Sequence, residues 1–168
     1  MKSATPALVT LEQHGISFVA HTFDQTSFEG TDVGYGRAAA AALGVEETRV
    51  FKTLLASVEP PLSGVAHVVA IVPVNAQVSL KSLAEAIGAK RCEMAAAQVA
   101  QRITGYVVGG ISPFGQRKKL TTVVDQSAES LATMFVSGGK RGLDVELSPS
   151  DLIRVLDARI AAIAVLND

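Results

Sequence analysis

Residues 50–58 read VFKTLLASV and residues 67–72 read HVVAIV, two apolar stretches separated by a segment that contains Pro60, Pro61 and Gly64. Short runs rich in β-branched and aliphatic residues, bounded by Pro and Gly, are typical of strands joined by a turn. The sequence therefore predicts two strands around this turn, and the neighbouring elements can be followed from them in both directions.

Three structural elements are predicted on the N-terminal side of this pair of strands. Thr5 and Pro6 suit the cap and the first position of a helix, alternation of apolar residues favours a strand, and an alanine-rich run favours a second helix. The predicted elements are a helix to about Gln13, a strand at 16–23, a polar loop to about Gly34 and a helix at 37–43 ended by Gly44.

Helices and strands continue after the pair without strict alternation. Ser79 can cap a helix, and Ser148, followed by Pro149 and by Asp151 three residues on, has the pattern of a capping box. The sequence therefore predicts a mixed α+β domain with a curved sheet. The predicted helices span 79–87, 95–103 and 149 to about 157, and the predicted strands span 106–108, 121–124, 134–136 and 143–147.

The composition is that of one folded domain. Of the 168 residues, 48% are hydrophobic and 18% are charged, which excludes a disordered chain. No apolar run approaches the 18 or so residues of a membrane span, and the N-terminus lacks the apolar stretch of a signal peptide. Cys92 is the single cysteine, so no internal disulfide can form and a cytoplasmic location is expected.

Positive charge is concentrated in the middle of the chain. Residues 89–141 carry eight Lys and Arg against three Asp and Glu, whereas the whole chain has a formal net charge of −1. A basic segment in a near-neutral protein suits a localised anionic ligand such as a phosphate backbone. Charge alone is equally consistent with solvated loops and helix ends.

Lys52 lies inside the otherwise apolar strand at 50–58. Because lysine is costly to bury, its ammonium must reach solvent, pair with an acid or occupy a functional pocket. A desolvated ammonium would bind an anionic or carbonyl-bearing ligand strongly. The alternative is an outward-facing lysine on a half-exposed strand.

Two glycine-rich segments are further candidates for a binding site. Residues 109–119 read GGISPFGQRKK and residues 136–147 read VSGGKRGLDVEL. Glycine permits close backbone approach and directs amide N–H groups at a ligand, so the first segment could cradle an ester, a ribose or a phosphate. In the second, Asp144 could pair with Lys52 or Arg141, or accept a hydrogen bond from a ligand amine. Plain turns with charged tips are the alternative for both.

Common catalytic sets are weakly represented. His14, His21 and His67 are scattered, no metal-ligand spacing joins them, and no Gly-x-Ser-x-Gly motif occurs. Cys92 lies beside Lys90 and Arg91 and could act as a nucleophile, although a structural thiol is the alternative. In an enzyme with this sequence, side chains are expected to position the substrate rather than attack it.

Four segments together carry a resemblance to the YbaK/EbsC family of prolyl-tRNA editing domains, and within it to the YbaK-type cysteinyl-tRNA(Pro) deacylases. They occur in the family's order, and matches at 5–7, 16–18 and 21–22 extend the similarity over nearly the whole chain. Residues 1–168 are therefore expected to form one aminoacyl-tRNA editing domain. The four segments are FKTLL at 51–55, VAQR at 99–102 with TGY at 104–106, GGISPFG at 109–115 and SGGKRGLD at 137–144.

The resemblance implies a barrel-like mixed sheet surrounded by helices, and neither a metal nor another cofactor. It implies that Lys52, Gly109 and Asp144 are catalytic, and that the cysteinyl thiol of the substrate attacks its own ester carbonyl and leaves as a thiolactone. The implied substrate-binding residues are Phe23, Thr53, Gly110, Ile111, Ser112, Pro113, Ser137, Gly138 and Gly139. The implied tRNA-phosphate contacts are Arg117, Lys118, Lys119, Lys140 and Arg141.

The implied partners are mischarged tRNA(Pro) and, transiently, prolyl-tRNA synthetase, with no membrane and no DNA. Phe23 stands where many relatives have Tyr, which leaves its role open. Three other functions are compatible with the residues: a deacylase of another mischarged tRNA such as alanyl-tRNA(Pro), a tRNA- or nucleotide-binding module without catalysis, and a hydrolase that uses the Cys92 thiol.

Overall fold

Five α-helices and ten β-strands are found in residues 4–24 and 34–166, which are the residues that the computed structural model describes. The helices are α1 (Pro6–Gln13), α2 (Tyr35–Leu43), α3 (Leu80–Ile87), α4 (Ala97–Thr104) and α5 (Pro149–Leu156). The strands are β1 (Val19–Thr22), β2 (Phe51–Leu62), β3 (Val65–Pro73), β4 (Ala76–Val78), β5 (Arg91–Met94), β6 (Thr121–Asp125), β7 (Met134–Lys140), β8 (Leu143–Leu147), β9 (Arg159–Ala161) and β10 (Ala164–Leu166).

The described strands form three sheets. The largest has the order β5-β2-β3-β6-β9, a second has the order β1-β8-β7, and β10 pairs with β4. Strand β6 runs parallel to β3 and β9, and the other pairs are antiparallel. An isolated bridge between Val50 and Phe135 connects the start of β2 to β7. The predicted mixed α+β class is confirmed, and the described strands form several sheets rather than a closed barrel.

Both faces of the β2–β3 hairpin are buried. Phe51 and Leu55 contribute to one apolar cluster, which includes residues of α1 and α5. Ala56 and Val58 contribute to a second cluster on the other face, which is covered by α3. A strand that is buried on both faces carries continuous apolar sequence, which explains why residues 50–58 do not alternate cleanly.

The helix starts that were predicted from capping residues are confirmed. The hydroxyl oxygens of Thr5, Ser79 and Ser148 each accept a hydrogen bond at 3.2 Å from the backbone N–H three residues later. These bonds satisfy amide groups that have no partner within the helix. The two strands predicted around the turn at residues 60–64 are also present, and they pair with each other.

The strand predicted at 106–108 is wrong. Tyr106 directly follows Gly105, which ends α4 with φ +85°, and its hydroxyl donates a hydrogen bond to the Phe114 carbonyl at 2.6 Å. Val107 and Val108 are exposed, so this short apolar run lies in a loop. The four short strands β4, β5, β9 and β10 were not predicted, and most of the predicted loop at 24–34 lies outside the described residues. None of the helices in the described residues is long and apolar enough to cross a membrane.

Candidate active site

A cavity of about 510 Å³ lies beside the first residues of β2. Beyond the Val50–Phe135 bridge, β2 and β7 are not paired with each other, and both contribute residues to the cavity wall. Five segments that are far apart in the sequence contribute residues to the wall, and Phe23 and Val74 complete it. The five segments are 34–39, 50–55, 94–100, 108–111 and 137–144.

Lys52 contributes a half-buried side chain to this wall. Burial lowers the pKa of the Lys52 ammonium, because the charged form loses hydration. Within residues 4–24 and 34–166, Lys52 forms no ion pair. The cavity therefore holds a partly desolvated amine whose hydrogen-bonding capacity is available to a ligand.

Asp144 contributes a carboxyl group to the same cavity. It lies in β8, opposite His21 of β1 on one side and Ser137 of β7 on the other, and it is 7% exposed. Burial raises the pKa of Asp144 to about 7, because the charged form is desolvated. At neutral pH this group can both donate and accept a proton, as a general acid or base requires.

The elevated pKa of Asp144 predicts that stability depends on pH. The unfolded chain releases the Asp144 proton near pH 4, the ordinary pKa of an aspartic acid, whereas the native state retains it up to about pH 7. The free energy of unfolding should therefore fall as the pH rises between these two values, by on the order of 2–4 kcal/mol. Asp144→Asn removes the titration and should be more stable than the wild type at pH 8. Urea unfolding of both proteins at pH 5 and pH 8 tests this, and an equal pH dependence would contradict it.

Thr53 has a buried side-chain hydroxyl that forms no hydrogen bond with any residue that the structure describes. The Val50 carbonyl accepts a bond from the N–H of Val74, the residue that follows β3, so the antiparallel alternation turns the backbone N–H and C=O of Thr53 away from β3. On the edge of β2 opposite β3, the Leu55 carbonyl accepts a hydrogen bond from the Ala95 N–H. Thr53, two residues earlier on the same edge, lines the cavity.

The two glycine-rich segments are in direct contact. Gly109 lines the cavity with φ +91°, and a Cβ atom there would lie 2.7 Å from a carbon of the Tyr35 ring. A Cβ atom on Gly110 would lie 2.8 Å from the Cα atom of Lys140. Only glycine at position 110 allows the two backbones to approach so closely, which explains the glycine at that position.

The residues implied as substrate contacts fall into two groups. Phe23, Thr53, Ile111 and Ser137 line the cavity, together with the catalytic candidates. Gly110, Ser112, Pro113, Gly138 and Gly139 do not line it, since the first three lie in the loop between α4 and β6 and the two glycines lie within β7. The Ser112 hydroxyl, for example, is fully buried and accepts a hydrogen bond from the Phe114 N–H at 3.2 Å.

The residues implied as phosphate contacts are also separated. Arg141 lines the cavity, and its guanidinium lies 4.5 Å from the centroid of the Tyr35 ring. Lys140 is exposed and does not line the cavity. Arg117, Lys118 and Lys119 line a different depression of the surface, bordered by His67 and Arg102.

Tyr35 and Met94 were missed as candidate residues. Both line the cavity and are 43% and 45% exposed, an unusual degree of exposure for large side chains beside a pocket. Nothing in the local sequence indicates this role for Met94, because it depends on where β5 pairs with β2. The contact of Tyr35 with residue 109 likewise depends on the tertiary fold.

Cys92 lies away from the cavity. It pairs with Val58 between β5 and β2, it is 3% exposed, and burial raises the pKa of its thiol. A buried thiol with an elevated pKa is a poor nucleophile, so the structure does not support a Cys92 hydrolase. Among the described residues, no group of three or more His, Cys, Asp or Glu side chains could hold a metal ion.

Comparison with known proteins identifies the family. Residues 35–155 match the family model of the aminoacyl-tRNA editing domain. The chain is 33% identical over 163 residues, covering 95% of this chain and 92% of the relative, to the Enterococcus faecalis protein named "Putative Cys-tRNA(Pro)/Cys-tRNA(Cys) deacylase EbsC". It is 32% identical over 90 residues, about half of each chain, to the Escherichia coli protein named "Multifunctional Ser/Thr-tRNA deacylase ProXp-y".

Solved structures share the fold at lower identity. The crystal structure of the hypothetical protein APE2540 has a TM-score of 0.80 at 23% identity and covers 95% of this chain and 99% of that chain. The crystal structure of "a putative trans-editing enzyme for prolyl tRNA synthetase" has a TM-score of 0.79 at 18% identity, covering 96% and 98%. The family match, the EbsC relative and these folds confirm the resemblance, and the chain belongs to the aminoacyl-tRNA editing domain family, as an enzyme of the aminoacyl-tRNA deacylase class.

Proposed function

We propose that residues 1–168 form an editing domain that removes cysteine from mischarged cysteinyl-tRNA(Pro), with the substrate's own thiol as the nucleophile. The main support is the composition of the cavity wall. It combines Lys52, Thr53 and Asp144, but its described residues include neither a cysteine nor a histidine. Such a wall can orient an ester and move a proton, while the attacking group comes from the substrate.

The proposed reaction begins with attack of the cysteinyl sulfur on its own ester carbonyl. A carbon–sulfur bond forms, and the bond between the carbonyl carbon and the ribose oxygen breaks. The thiol proton passes to the departing ribose oxygen, which becomes the hydroxyl group of free tRNA. The amino acid leaves as a cyclic thiolactone, which water then opens to cysteine.

Lys52 is proposed to stabilise the negative charge that develops on the carbonyl oxygen. Its ammonium is partly desolvated and has no acidic partner among the described residues, so its interaction with an oxyanion would be stronger than in water. Asp144 is proposed to accept the thiol proton and return it to the ribose oxygen. A pKa near 7 suits a group that must do both at neutral pH.

Thr53 and Gly109 are proposed to hold the ester in place. The unpaired Thr53 hydroxyl and the outward-directed backbone groups of that residue can bind the amino acid, while the amide groups around Gly109 border the reacting atoms. Orientation of this kind lowers the barrier when attacking and attacked atoms belong to one small molecule. Arg141, whose guanidinium lies over the Tyr35 ring, is proposed to contact a phosphate near the ester.

The proposed partners follow the family resemblance. The tRNA would be mischarged tRNA(Pro), and a transient complex with prolyl-tRNA synthetase would supply it. The name of the EbsC relative includes Cys-tRNA(Pro), which supports this choice of substrate. The name of the Escherichia coli relative specifies Ser/Thr-tRNA, so the aminoacyl group is the point that most needs a direct test.

Initial deacylation rates on a panel of aminoacyl-tRNAs test the proposal. Cysteinyl-, alanyl-, seryl- and prolyl-tRNA(Pro) differ in the side chain that carries the attacking atom. We expect kcat/KM for the cysteinyl ester to exceed that for each of the others by about 100-fold, because only a thiol is a strong enough nucleophile here.

Three outcomes of this panel would contradict the proposal. Comparable turnover of the seryl ester would remove the need for a thiol. Preferential turnover of the alanyl ester would favour the alanyl-tRNA(Pro) alternative. Tight tRNA binding without turnover of any ester would favour the binding module.

A further inference from the structure

Three polar side chains meet at the carboxylate of Glu146, outside the lining of the cavity. Its Oε1 atom lies 3.0 Å from Nε2 of His21. Its Oε2 atom accepts hydrogen bonds from Oγ1 of Thr133 at 2.5 Å and from Nη2 of Arg49 at 3.3 Å. The same Arg49 nitrogen also donates to Thr133 Oγ1 at 2.6 Å. We refer to His21, Arg49, Thr133 and Glu146 as the Glu146 network.

The carboxylate at the centre of the network is charged at neutral pH. The hydrogen bond from Thr133 is the main cause of the lowered pKa of Glu146, partial burial opposes it, and His21 and Arg49 lower the pKa further. A charged acceptor strengthens the hydrogen bonds that it receives. The paired side chains are only a quarter to a third exposed, yet ion pairs of this kind near a surface contribute little to stability.

The network joins the two strands that carry Lys52 and Asp144. Arg49 lies three residues before Lys52, at the end of the short 3₁₀ helix that precedes β2. Glu146 lies two residues after Asp144 in β8, so both acidic side chains leave the same face of the sheet. The ion pair between Arg49 and Glu146 therefore connects the start of β2 to β8 beside the cavity.

The Phe135 ring lies beneath the network and marks the point where the strands diverge. It lies opposite Glu146 in the β7–β8 pair, and its centroid is 5.1 Å from the Arg49 guanidinium and 5.4 Å from the His21 ring. In residues 4–24 and 34–166, the Val50–Phe135 bridge is the only backbone pairing of this end of β2 with the β1-β8-β7 sheet. The network is thus a side-chain connection beside a single backbone bridge.

We propose that Arg49 and Glu146 are positioning residues, which hold Lys52 and Asp144 at the separation that the reaction requires. The inference rests on the proposed function for the roles of Lys52 and Asp144. Beyond the bridge no pairing with β7 restrains β2, so a movement at residue 49 is carried along the strand to Lys52. Because a displacement of about 1 Å at a reacting centre can cost about 100-fold in rate, side chains that touch no substrate atom can still control the rate.

Steady-state kinetics of Arg49→Met and Glu146→Met test the inference, since both substitutions keep side-chain length and remove the polar groups. On the ester that the wild type turns over fastest, we expect each variant to lower kcat about tenfold and to change KM by about twofold or less. The thermal midpoint should fall by about 2–4 °C or less. Glu146→Gln keeps an acceptor oxygen and should recover most of the rate.

The double variant Arg49→Met/Glu146→Met distinguishes a shared action from two separate ones. Because both residues act through one ion pair, the double variant should be no slower than the slower single variant. The matched control is Arg154→Met, which breaks the 3.0 Å ion pair with Asp151 in α5, away from the cavity lining, and should keep the wild-type rate. Wild-type rates in both single variants, multiplied losses in the double variant, or an equal loss in the control would overturn the inference.

Titration of Asp144 tests the network without any ester. Carboxyl ¹³C NMR follows this group in the wild type and in Arg49→Met. If the start of β2 loosens, water reaches Asp144, and its pKa should fall from about 7 to about 6 or below. Loss of the Arg49 charge alone would instead raise the pKa of Asp144, so the direction of the change separates hydration from charge.

The two measurements separate failure of the inference from failure of the proposed function. An unchanged or raised pKa of Asp144 in Arg49→Met, beside an active wild-type enzyme, would reject only the positioning role. The expected fall of this pKa in a protein that turns over no ester would reject only the proposed reaction.

Discussion

Lys52→Ala is expected to reduce kcat/KM for cysteinyl-tRNA(Pro) by about 100-fold or more while the protein stays folded. Removal of one preorganised donor to an oxyanion costs about this much in other enzymes. The fold should survive, because the side chain of Lys52 is only half-buried and forms no ion pair with a described residue. Its removal therefore leaves no acidic side chain without a partner. Single-turnover deacylation and thermal unfolding of the same preparation measure both effects.

Two further variants sharpen the interpretation of Lys52→Ala. Lys81→Ala removes an exposed lysine of α3 and should leave the rate unchanged, which controls for net charge. Lys52→Met keeps most of the aliphatic stem and removes only the amine, so it should be as inactive as the alanine variant. Wild-type rates in both Lys52 variants would eliminate Lys52 from the reaction.

Gly109→Ala is expected to lower kcat/KM by about 10- to 100-fold, since a misplacement of about 1 Å at a reacting centre can cost that much. The new Cβ atom would meet the Tyr35 ring at 2.7 Å and the Arg141 guanidinium at 2.9 Å, so the loop or both side chains must move. The φ angle of +91° adds a backbone cost of about 1 kcal/mol for any residue with a Cβ atom. The measurements are steady-state deacylation and the free energy of unfolding.

Gly88→Ala is the matched control for this backbone cost. Gly88 ends α3 with φ +75°, and an added Cβ atom would have no neighbour within 4 Å. The backbone conformation should cost both variants about 1 kcal/mol of stability, while only Gly109→Ala, which also has the clashes with Tyr35 and Arg141, should lose activity. Equal activities in the two variants would show that the cavity tolerates displacement of the loop.

Predictions that depend on neighbouring residues alone, such as the start of a helix at a capping residue, were the most reliable. Thr5, Ser79 and Ser148 were each predicted to begin a helix, and each does, because a cap depends on hydrogen bonds within three residues. The incorrect strand at 106–108 shows the converse. Whether an apolar run becomes a strand depends on a partner supplied from elsewhere in the chain, and here Tyr106 instead bonds to the carbonyl of Phe114.

The candidate site could be predicted only in part. Lys52 was a candidate because an ammonium is unusual within an otherwise apolar strand, and it does line the cavity. A common site for Lys52, Asp144 and Gly109 was implied by the family resemblance, whereas the residues alone offered pairing of Asp144 with Lys52 only as one of several alternatives. Tyr35 could not have been chosen, because its role depends on the packing of α2 against a loop more than 70 residues away.

The cations show why composition alone could not locate a binding surface. Residues 89–141 are basic as a group, but the fold places Arg141 at the cavity and Lys118 in a separate depression of the surface, beside Arg102 of α4. Arg91 of the same segment instead pairs with Glu93 at the surface, 3.4 Å away. The net charge of the segment does not distinguish these three environments.

The burial of both faces of β2 has a mechanical consequence for the enzyme. Shifting this strand by a single residue would exchange the sides on which Lys52 and Thr53 lie and would carry the ammonium toward one of the two apolar layers. The amine is thus carried by a strand whose register is fixed by burial on both faces. A cavity that accepts amino acids of other sizes would therefore require substitutions in the other segments of its wall rather than in β2.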